Sequence, residues 1–323
     1  MLFERKNTMK IPIKKLEYRN EAPFTVNVVN ARHIPVHRHE KELEIIFCMS
    51  GSATIITAHD RLEIHPNEIV TLDYEDIHCI YSDVDNKLVI FNVDLSQSDI
   101  YPWEDLRYRY FTCYTHSVRS YNRNYHDRVR AILLASAYLY ASGKKYKKEE
   151  YMDVYERLLK LLVNGFSWPY REDVDAEMND EIKERINNVH TYLQQNYMNK
   201  ITISELSDMN GISENYFSQF MKKTSYGGFK EMVAYIRCYH AEQYLLTTDL
   251  SGEEISNMCG FSSTKYFYRW FRHFWGVSPL QHKKWYKAYM EEEDNFYEYE
   301  KDEILPIIEK WIADDLTTSV FGL

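Results

Sequence analysis

Three features are missing from this chain, and each absence excludes a class of protein. Its five cysteines show no CxxC or other metal-ligand spacing, and an odd number of them is typical of a reduced cellular interior. No apolar run approaches the roughly 18 residues of a transmembrane helix. The N-terminus lacks the apolar core of a signal peptide. The sequence therefore predicts a cytoplasmic protein.

Length and charge set the frame for what is present. With 323 residues, 45% of them hydrophobic, the chain can hold two domains of ordinary size. The net charge is −10, but residues 180–286 hold 12 basic and 11 acidic side chains, whereas residues 287–323 hold 3 and 11. Between Ile255 and Met290 there is no acidic residue. Attraction to a polyanion is expected from that acid-free stretch.

Residues 202–286 contain the same pattern twice. At an offset of 49, six positions of the first copy find similar residues in the second: Thr202, Glu205, Ser207, Met209, Gly211 and Ser213 match Ser251, Glu254, Ser256, Met258, Gly260 and Ser262. One residue is then inserted, and the register resumes at 50. Each copy begins with a capping box, S/T-x-x-E, continues to a glycine that can turn at positive φ, and reaches a serine that can cap a second helix. This order is the helix-turn-helix signature and predicts DNA binding.

The second helix of each copy separates an apolar face from a polar one. Apolar residues at helical spacing are expected to pack inward: Phe217, Phe220 and Met221 in the first copy, and Phe267, Trp270, Phe271 and Phe274 in the second. The outward residues suit base edges and phosphates: Glu214, Asn215, Ser218, Gln219 and Lys222, then Thr264, Lys265, Tyr268, Arg269 and Arg272. The alternative is an ordinary solvated face. Because both stripes lie on the second helix of a helix-turn-helix, we favour DNA contact.

A helical pattern from Gly228 to Leu246 joins the two copies. Nineteen residues form a rod of roughly 28 Å, which approaches the roughly 34 Å between successive major-groove faces of B-DNA. One chain could therefore place both second helices in adjacent grooves. An ordinary core helix would show the same pattern, so the spacing is a consistency check.

These residues carry a resemblance to a known family. Residues 183–286 resemble the DNA-binding domain of the AraC/XylS transcription regulators, through ITISELSDMNGIS, YFSQFMKK, the stretch IRCYHAEQYLLTTDLS from Ile236, GFSSTKYFYRWFRHFWGVSP from Gly260, and Lys283. The resemblance implies DNA contacts at Glu214, Asn215, Ser218 and Gln219 in the first copy and at Thr264, Lys265, Tyr268 and Arg269 in the second. The first set has no arginine and contains an acid, so the second copy is expected to hold the DNA and the first to discriminate sequence.

The N-terminal part is predicted to be a β-sandwich or small barrel. Short β-branched or aromatic runs alternate with turn residues: Phe24 to Val29, Glu42 to Met49, Ala53 to Thr57, Arg61 to Ile64, Glu68 to Leu72 and Lys87 to Val93. Within this part, His37-x-His39-x4-Glu44-x6-Gly51, then Pro66 and His78, is similar to the two cupin motifs. That resemblance implies a divalent metal held by His37, His39, Glu44 and His78, although Asn67-Glu68 stands where cupins commonly have a glycine.

Three roles for this cluster remain open. The residues could contact a small-molecule effector, hold a metal such as Zn, Mn, Fe or Ni, or be structural. Effector contact is favoured, with His33 and Arg38 as weaker pocket candidates. A metal-dependent cupin enzyme is the alternative from another class; we expect no enzyme, because sensing explains both halves of the chain and catalysis explains one.

Two helical stripes follow the predicted barrel, one from Val129 to Tyr140 and one from Met152 to Leu162. They resemble the dimerisation element of the family, so residues 121–166 are predicted to dimerise; the alternative is that they only cover the barrel, taken as residues 1–120. Residues 167–181 are acidic and aperiodic and form the expected linker. The DNA-binding domain is placed at residues 182–287.

Residues 288–323 extend beyond the family's usual end. An acidic run is followed by an amphipathic helix from Ile304 to Leu316, which is expected to pack against the linker or the sensor. A sharper hypothesis places the acidic run against the basic face around Arg269.

The sequence therefore predicts a multi-domain α+β protein: a cupin-like β-barrel with helices, then an all-α domain with two helix-turn-helix motifs. Its expected role is a dimeric, ligand-responsive transcription regulator that binds a double-stranded DNA operator and works with RNA polymerase. By analogy with the family, it is expected to activate carbohydrate-utilisation genes in response to a sugar. A stress or virulence regulator that senses another small molecule is the alternative within the class.

Overall fold

The computed structural model describes residues 11–18, 22–57, 61–115, 123–142, 147–168, 180–222 and 227–314. These residues fall into two compact units. The first, called the sensor unit after its predicted role, contains the described residues of Ile13–Trp168 and Glu292–Leu323. The second, called the DNA-binding unit after its predicted role, contains the described residues from Asp180 to Glu291, together with Ile11 and Pro12.

The sensor unit is built on one antiparallel sheet that curls into a nearly closed barrel. Its strands are β1 (Phe24–His37), β2 (Glu42–Ser50), β3 (Ala53–Thr57), β4 (Arg61–Ile64), β5 (Ile69–Leu72), β6 (His78–Tyr81) and β7 (Lys87–Asp94), in the order β4-β3-β6-β1-β7-β2-β5, with β10 (Asn295–Glu298) paired to β1. A two-stranded sheet pairs β8 (Tyr110–Phe111) with β9 (Ser167–Trp168). The cupin-like barrel prediction fits this sheet, and all six predicted strands are present.

The two faces of the barrel wall have different partners. Alternate residues of β2, such as Leu43, Ile45 and Phe47, join a core with the helices of the unit. The residues between them, such as Ile46 and Cys48, join a second core with the opposite face of β7. Both faces of β2 are therefore buried, which explains why it is a nearly continuous apolar run.

Helices cover the outer face of the barrel wall. They are α1 (Trp103–Leu106), α2 (Arg123–Ala141) and α3 (Lys148–Gly165), joined by a C-terminal helix, α11 (Lys301–Asp314). A 3-10 turn at Leu95–Gln97 ends β7. α2 packs against both α3 and α11, and its residues from Tyr125 onward are buried or half-buried with the single exception of Arg128. The exposed face of α3 is polar: Asp153, Arg157, Lys160 and Asn164.

The C-terminal segment differs most from expectation. The helix predicted from Ile304 begins at Lys301, and its docking on the sensor agrees with one of the two placements expected. Four residues of the acidic run, Asn295–Glu298, form β10 by pairing with β1, and their side chains are exposed. At the two ends of the predicted linker, Ser167–Trp168 form a strand and Asp180 begins a helix; residues 169–179 lie outside the described residues.

The DNA-binding unit is all helical in its described residues. Its helices are α4 (Asp180–Asn196), α5 (Ile203–Met209), α6 (Glu214–Met221), α7 (Phe229–Thr247), α8 (Gly252–Met258), α9 (Thr264–Trp275) and α10 (Pro279–Met290). α7 is the central rod, in contact with α4, α8, α9 and α10. At 19 residues it has the length expected from the sequence. None of the described helices of the chain is long and apolar enough to cross a membrane.

Candidate nucleic-acid interface and histidine cluster

The first helix-turn-helix is formed by α5 and α6. The Thr202 hydroxyl accepts a hydrogen bond from the Glu205 amide at 3.2 Å, and Ser213 caps α6 by accepting from the Tyr216 amide at 3.3 Å. Gly211 lies between the helices at φ +63°. The predicted capping box is only half made, because the Glu205 carboxylate accepts from the Tyr192 hydroxyl of α4 instead.

The second helix-turn-helix is formed by α8 and α9. Its capping box is complete: the Glu254 amide donates to Ser251 Oγ at 3.2 Å, and the Ser251 amide donates to the Glu254 carboxylate at 2.8 Å. Ser263, rather than Ser262, caps α9 through the Tyr266 amide. The charge-stabilising bonds from Ser251 lower the pKa of the exposed Glu254. The negative charge of its carboxylate also stabilises the N-terminal end of α8.

The turn of the second motif is packed more tightly than that of the first. Gly260 has φ +72°, and a Cβ there would stand 2.6 Å from the Met198 carbonyl oxygen. At Gly211 a Cβ would meet nothing within 4 Å. Both positions need a left-handed backbone, but only Gly260 also needs the space.

The inward faces agree with the sequence in α6 and partly in α9. Phe217, Phe220 and Met221 are all buried. In α9, Phe267 and Phe271 are buried as predicted, but Trp275 takes the third inward place. Trp270 and Phe274 were predicted to point inward; they are only half-buried and stack on each other at 5.5 Å between ring centroids.

The outward faces carry every predicted contact residue, with different exposure. Seven of the ten side chains are exposed: Glu214, Asn215, Gln219, Lys222, Lys265, Arg269 and Arg272. The other three are half-buried: Ser218, Thr264 and Tyr268. The Tyr268 ring covers the start of α8, where a Cβ on Gly252 would come within 2.6 Å of its hydroxyl.

Three cations of α9 form a basic stripe along the exposed face. Lys265, Arg269 and Arg272 follow at i, i+4 and i+7, the spacing of one helix face. The Arg269 guanidinium lies 4.6 Å from the centroid of the Tyr266 ring. This ring restricts the arginine side chain without using its hydrogen-bond donors, which stay available for a base or a phosphate.

A buried polar contact that the sequence reasoning missed holds α9 in place. Glu242 of α7 is fully buried, accepts from Trp275 Nε1 at 3.2 Å and is in close contact with His282 of α10. Lys283, one of the family-like residues, donates to the Thr248 carbonyl at 2.7 Å and so caps the end of α7. An acid in the middle of a helix stripe signals such a contact only weakly, because its partners are distant in sequence.

The histidine cluster lies inside the barrel of the sensor unit. His37, His39, Glu44 and His78 are all buried, and one ligand atom from each lies within 4.8 Å of every other. β1 carries His37, β2 carries Glu44 and β6 carries His78; His37 and His78 are paired across the ladder. The sequence reasoning named all four residues, but it missed β6 and the extension of β1 beyond Val29.

Two backbone carbonyls set which ring nitrogens carry protons. His37 donates from Nδ1 to the Pro35 carbonyl at 2.8 Å, and His78 donates from Nδ1 to the Asp76 carbonyl at 2.9 Å. Their Nε2 atoms are buried without a hydrogen-bond partner. Burial, then the neighbouring His78, holds the pKa of His37 well below its usual range, so its ring is neutral and offers a lone pair.

The carboxylate of Glu44 faces two of these rings. His39 Nε2 donates to Glu44 Oε2 at 3.0 Å, and Asn92 Nδ2 donates to the same oxygen at 2.8 Å. Burial by itself would raise the pKa of Glu44, but the contacts with His39 and His78 outweigh it and hold the pKa well below the usual range. Glu44 is therefore a buried carboxylate.

The contact between Glu44 and His78 indicates a position at which a cation would bind. Glu44 Oε1 lies 3.3 Å from His78 Nε2. Since the Nδ1 proton of a neutral His78 is already donated to Asp76, both facing atoms would carry lone pairs. A cation between the two atoms would accept both lone pairs. The three imidazoles and one carboxylate fit a divalent transition metal, whose ligand bonds are about 2.1 Å.

The weaker pocket candidates, His33 and Arg38, lie on β1 and directly after it. The Arg38 side chain is half-buried, and its Nε has no hydrogen-bond partner among the described residues. His33 is buried, but it donates from Nδ1 to the Glu293 carbonyl at 2.9 Å. Its Nε2 lies 3.6 Å from the Glu292 carboxylate. The backbone carbonyl of Arg38 accepts from the Lys14 amide at 3.0 Å. His33 therefore contacts the C-terminal segment of the chain.

Comparison with known proteins supports the geometry of the DNA-binding unit. Residues 206–284 match the family model of a helix-turn-helix domain. This domain is a helix-turn-helix domain of the AraC type. An HTH-type transcriptional regulator of Escherichia coli, YijO, is 31% identical over 104 residues, which cover 32% of this chain and 37% of that protein.

Two further similarities extend the comparison of this AraC-type domain. The Msm operon regulatory protein of Streptococcus mutans is 26% identical over 128 residues, 40% of this chain and 45% of that protein. The chain thus spans less than half the length of these two relatives. Among solved structures, ToxT of Vibrio cholerae is 14% identical and has a TM-score of 0.41, with 82% of this chain and 98% of that chain covered.

Proposed function

We propose that this chain is a ligand-responsive transcription regulator that binds double-stranded DNA through α6 and α9. The observation that carries the proposal is the doubled helix-turn-helix whose second copy exposes Lys265, Arg269 and Arg272 on one face. Cations at this spacing reach phosphates and guanine edges. α6 offers Asn215 and Gln219, which suit adenine edges, beside the acidic Glu214. α9 therefore supplies most of the affinity, and α6 most of the sequence preference.

The experiment is selection of binding sites from a randomised duplex library, followed by titration of the selected site. Arg269→Ala is expected to cost about 1–3 kcal/mol at that site. Lys310→Ala, which removes one exposed cation from α11, is the matched control and is expected to leave affinity unchanged. Failure to enrich any sequence, or equal losses in the two variants, would contradict the proposal.

We propose that the histidine cluster of the sensor unit is the effector site. A second candidate function, supported by the geometry of the cluster, is that it holds a metal ion. His37, His39, Glu44 and His78 would hold the ion, which would supply a Lewis-acidic centre for an oxygen-bearing ligand. The fixed Nδ1 protons and the bond from Asn92 orient three of the four donors. A regulator is favoured over a cupin enzyme because the two relatives described above are named as regulators.

Metal analysis of the purified chain and calorimetry with Zn²⁺, Mn²⁺ and Ni²⁺ test this assignment. Glu44→Gln keeps the shape of the side chain and is expected to weaken binding at least about tenfold, because even the loss of a group that only supports a ligand costs about that much. Glu63→Gln, on exposed β4, should bind like the unaltered chain. An unaltered chain that binds none of the three ions would contradict the metal assignment and leave effector contact and a structural role for the cluster.

The finer parts of the proposal concern the effector, the partners and the assembly. A carbohydrate is the first effector class to test, because hydroxyl groups can both donate to and accept from the cluster. Activation through RNA polymerase and homodimerisation through residues 121–166 remain predictions. Analytical ultracentrifugation checks the second: a species of twice the 38.8 kDa chain mass is expected.

A further inference from the structure

The C-terminal segment from residue 292 to residue 314 is fully integrated into the sensor unit. Ile304 and Ile308 of α11 are buried in the same core as α2, α3 and the outer face of the barrel. Trp311 packs edge-on against Phe47 of β2, with 5.5 Å between ring centroids. The segment therefore contributes to the sensor core, although the DNA-binding unit precedes it in the chain.

β10 adds hydrogen bonds to this apolar contact. It pairs with β1 from Val29↔Glu298 to His33↔Asn295. The Tyr299 amide continues the ladder by donating to the Val28 carbonyl at 2.8 Å, and Lys87 Nζ lies 5.2 Å from the Tyr299 ring centroid. Strand pairing fixes the register of the segment, which an apolar helix face alone would not do.

Few residues connect the DNA-binding unit to this docked segment. α10 ends at Met290, and the Glu293 carbonyl already accepts from His33. By contrast, 11 residues, 169–179, separate Trp168 of the sensor unit from the start of α4 at Asp180. The second connection to the sensor is therefore the shorter of the two.

β1 connects this docking site with the histidine cluster. His33 contacts the segment, and His37, four residues further, belongs to the cluster. The ladder between β1 and β6 is irregular between Ile34 and His37, and the ladder between β1 and β10 is irregular between Ala31 and His33. Bulges bend a strand, increase its twist locally and re-aim its side chains.

We propose that residues 292–314 are a clasp that fastens the C-terminal end of the DNA-binding unit to the sensor, and that binding at the histidine cluster is coupled to the clasp through β1. The DNA-binding unit is then an insertion held at two ends. The coupling rests on the proposed function of the cluster, but the clasp does not.

Cutting the linker tests the clasp directly. A protease site placed among residues 170–179 of the full chain is cleaved after folding, and the products are run on a size-exclusion column at about 1 µM. The two fragments are expected to co-elute, because the second fragment carries the clasp. Separation of the fragments when the clasp is intact would overturn the proposal.

Variants in α11 show whether the clasp is what holds the fragments. Ile308→Asp puts a charge into the apolar core and is expected to weaken fragment association at least about 30-fold. Glu309→Ala, next to it on the exposed face, is the control and should change nothing. Trp311→Ala, a milder change, is included with circular dichroism in case Ile308→Asp unfolds the sensor. Fragments that stay together in both weakened variants would also overturn the proposal.

Reciprocity tests the coupling. If metal binding and docking share free energy, weakening the docking by Trp311→Ala is expected to change the affinity for Zn²⁺, and Zn²⁺ is expected to change hydrogen exchange in residues 292–314. A change of about fivefold or more is expected. Equal Zn²⁺ affinity in the two proteins would refute the coupling. If the unaltered chain does not bind Zn²⁺, the comparison is made with Mn²⁺ or Ni²⁺. A chain that binds none of the three ions would refute the metal assignment and with it the coupling to a metal, and the linker cut would still decide the clasp.

Discussion

At the scale of single residues, the two units contain buried polar groups with different consequences. Around Glu44, the unsatisfied ring nitrogens of His37 and His78 converge on one point, which is the arrangement of a binding site. In the DNA-binding unit, Glu242 is buried against Trp275 and His282 and holds three helices together. Burial of a polar group therefore does not by itself distinguish a binding site from a structural contact. The convergence of unpaired ring nitrogens on one point is what distinguishes the cluster around Glu44.

His240 of α7 links pH to stability. Burial lowers its pKa to about 4, and Gln194 Oε1 accepts from its Nε2 at 2.8 Å while Tyr197 stacks on the ring. The unfolded chain, with an ordinary histidine pKa of about 6.5, binds the proton more readily than the folded chain does. This residue therefore destabilises the fold progressively as the pH falls from about 6.5 to about 4, by up to roughly 3 kcal/mol.

Thermal unfolding at pH 7 and pH 4.5 measures that contribution. His240→Gln keeps a polar partner for Gln194 and cannot titrate, so it should flatten the pH dependence of the melting temperature over this interval. The control is His65→Gln, a change at an exposed histidine of the sensor unit. An unchanged pH profile in His240→Gln would refute the assignment.

At the scale of elements, replacing glycine by alanine is expected to lower the free energy of unfolding by different amounts in the two turns of the DNA-binding unit. Gly211→Ala should cost about 1–2 kcal/mol, the penalty of a left-handed backbone. Gly260→Ala should cost more, because its Cβ would also collide with the Met198 carbonyl. Denaturant unfolding of the two variants provides the comparison, and each is the control for the other. Equal losses would contradict the close packing at Gly260.

The elements found from sequence share local signals. The doubled motif was readable because caps, glycine turns and helical spacing are all set within a few residues, and the six strands because β-branched runs alternate with turn residues. The first capping box was misjudged because Tyr192, from another helix, competes for Glu205. Trp275, and not Trp270, takes the inward place in α9, where its indole donates to Glu242, a residue that is distant in sequence.

The elements missed from sequence depend on distant partners. β6 is four residues long, and two of its residues, His78 and Cys79, are not typical strand formers. β10 lies in an acidic run and is a strand only because β1 offers a free edge to it. The cluster was predicted as four residues, but the bond from Asn92 and the carbonyl of Pro35 required the folded barrel.

At the scale of the whole molecule, the net charge of the chain and the local charge on the exposed face of α9 have opposite signs. The chain carries −10, whereas α9 presents three cations on one face. Non-specific attraction to DNA is therefore expected to be weak, and the salt dependence of binding should come from a few phosphate contacts.

Titration of the selected DNA site at several salt concentrations measures these contacts. Arg272→Ala should reduce the slope of log affinity against log salt by about 1 if the arginine neutralises one phosphate. Gln219→Ala should leave the slope unchanged while relaxing sequence preference. A slope that does not respond to Arg272→Ala would place the phosphate contacts elsewhere.

The return of the chain to the sensor at Asn295–Glu298 and Lys301–Asp314 also affects how the protein is made. During synthesis the barrel and α2 leave the ribosome first, and the residues that cover α2 emerge only after the whole DNA-binding unit. Until then the apolar surface of α2 that α11 covers is open to other chains, and such exposed surface favours aggregation. A message truncated shortly after α10 would yield a complete DNA-binding unit attached to a sensor that cannot finish folding.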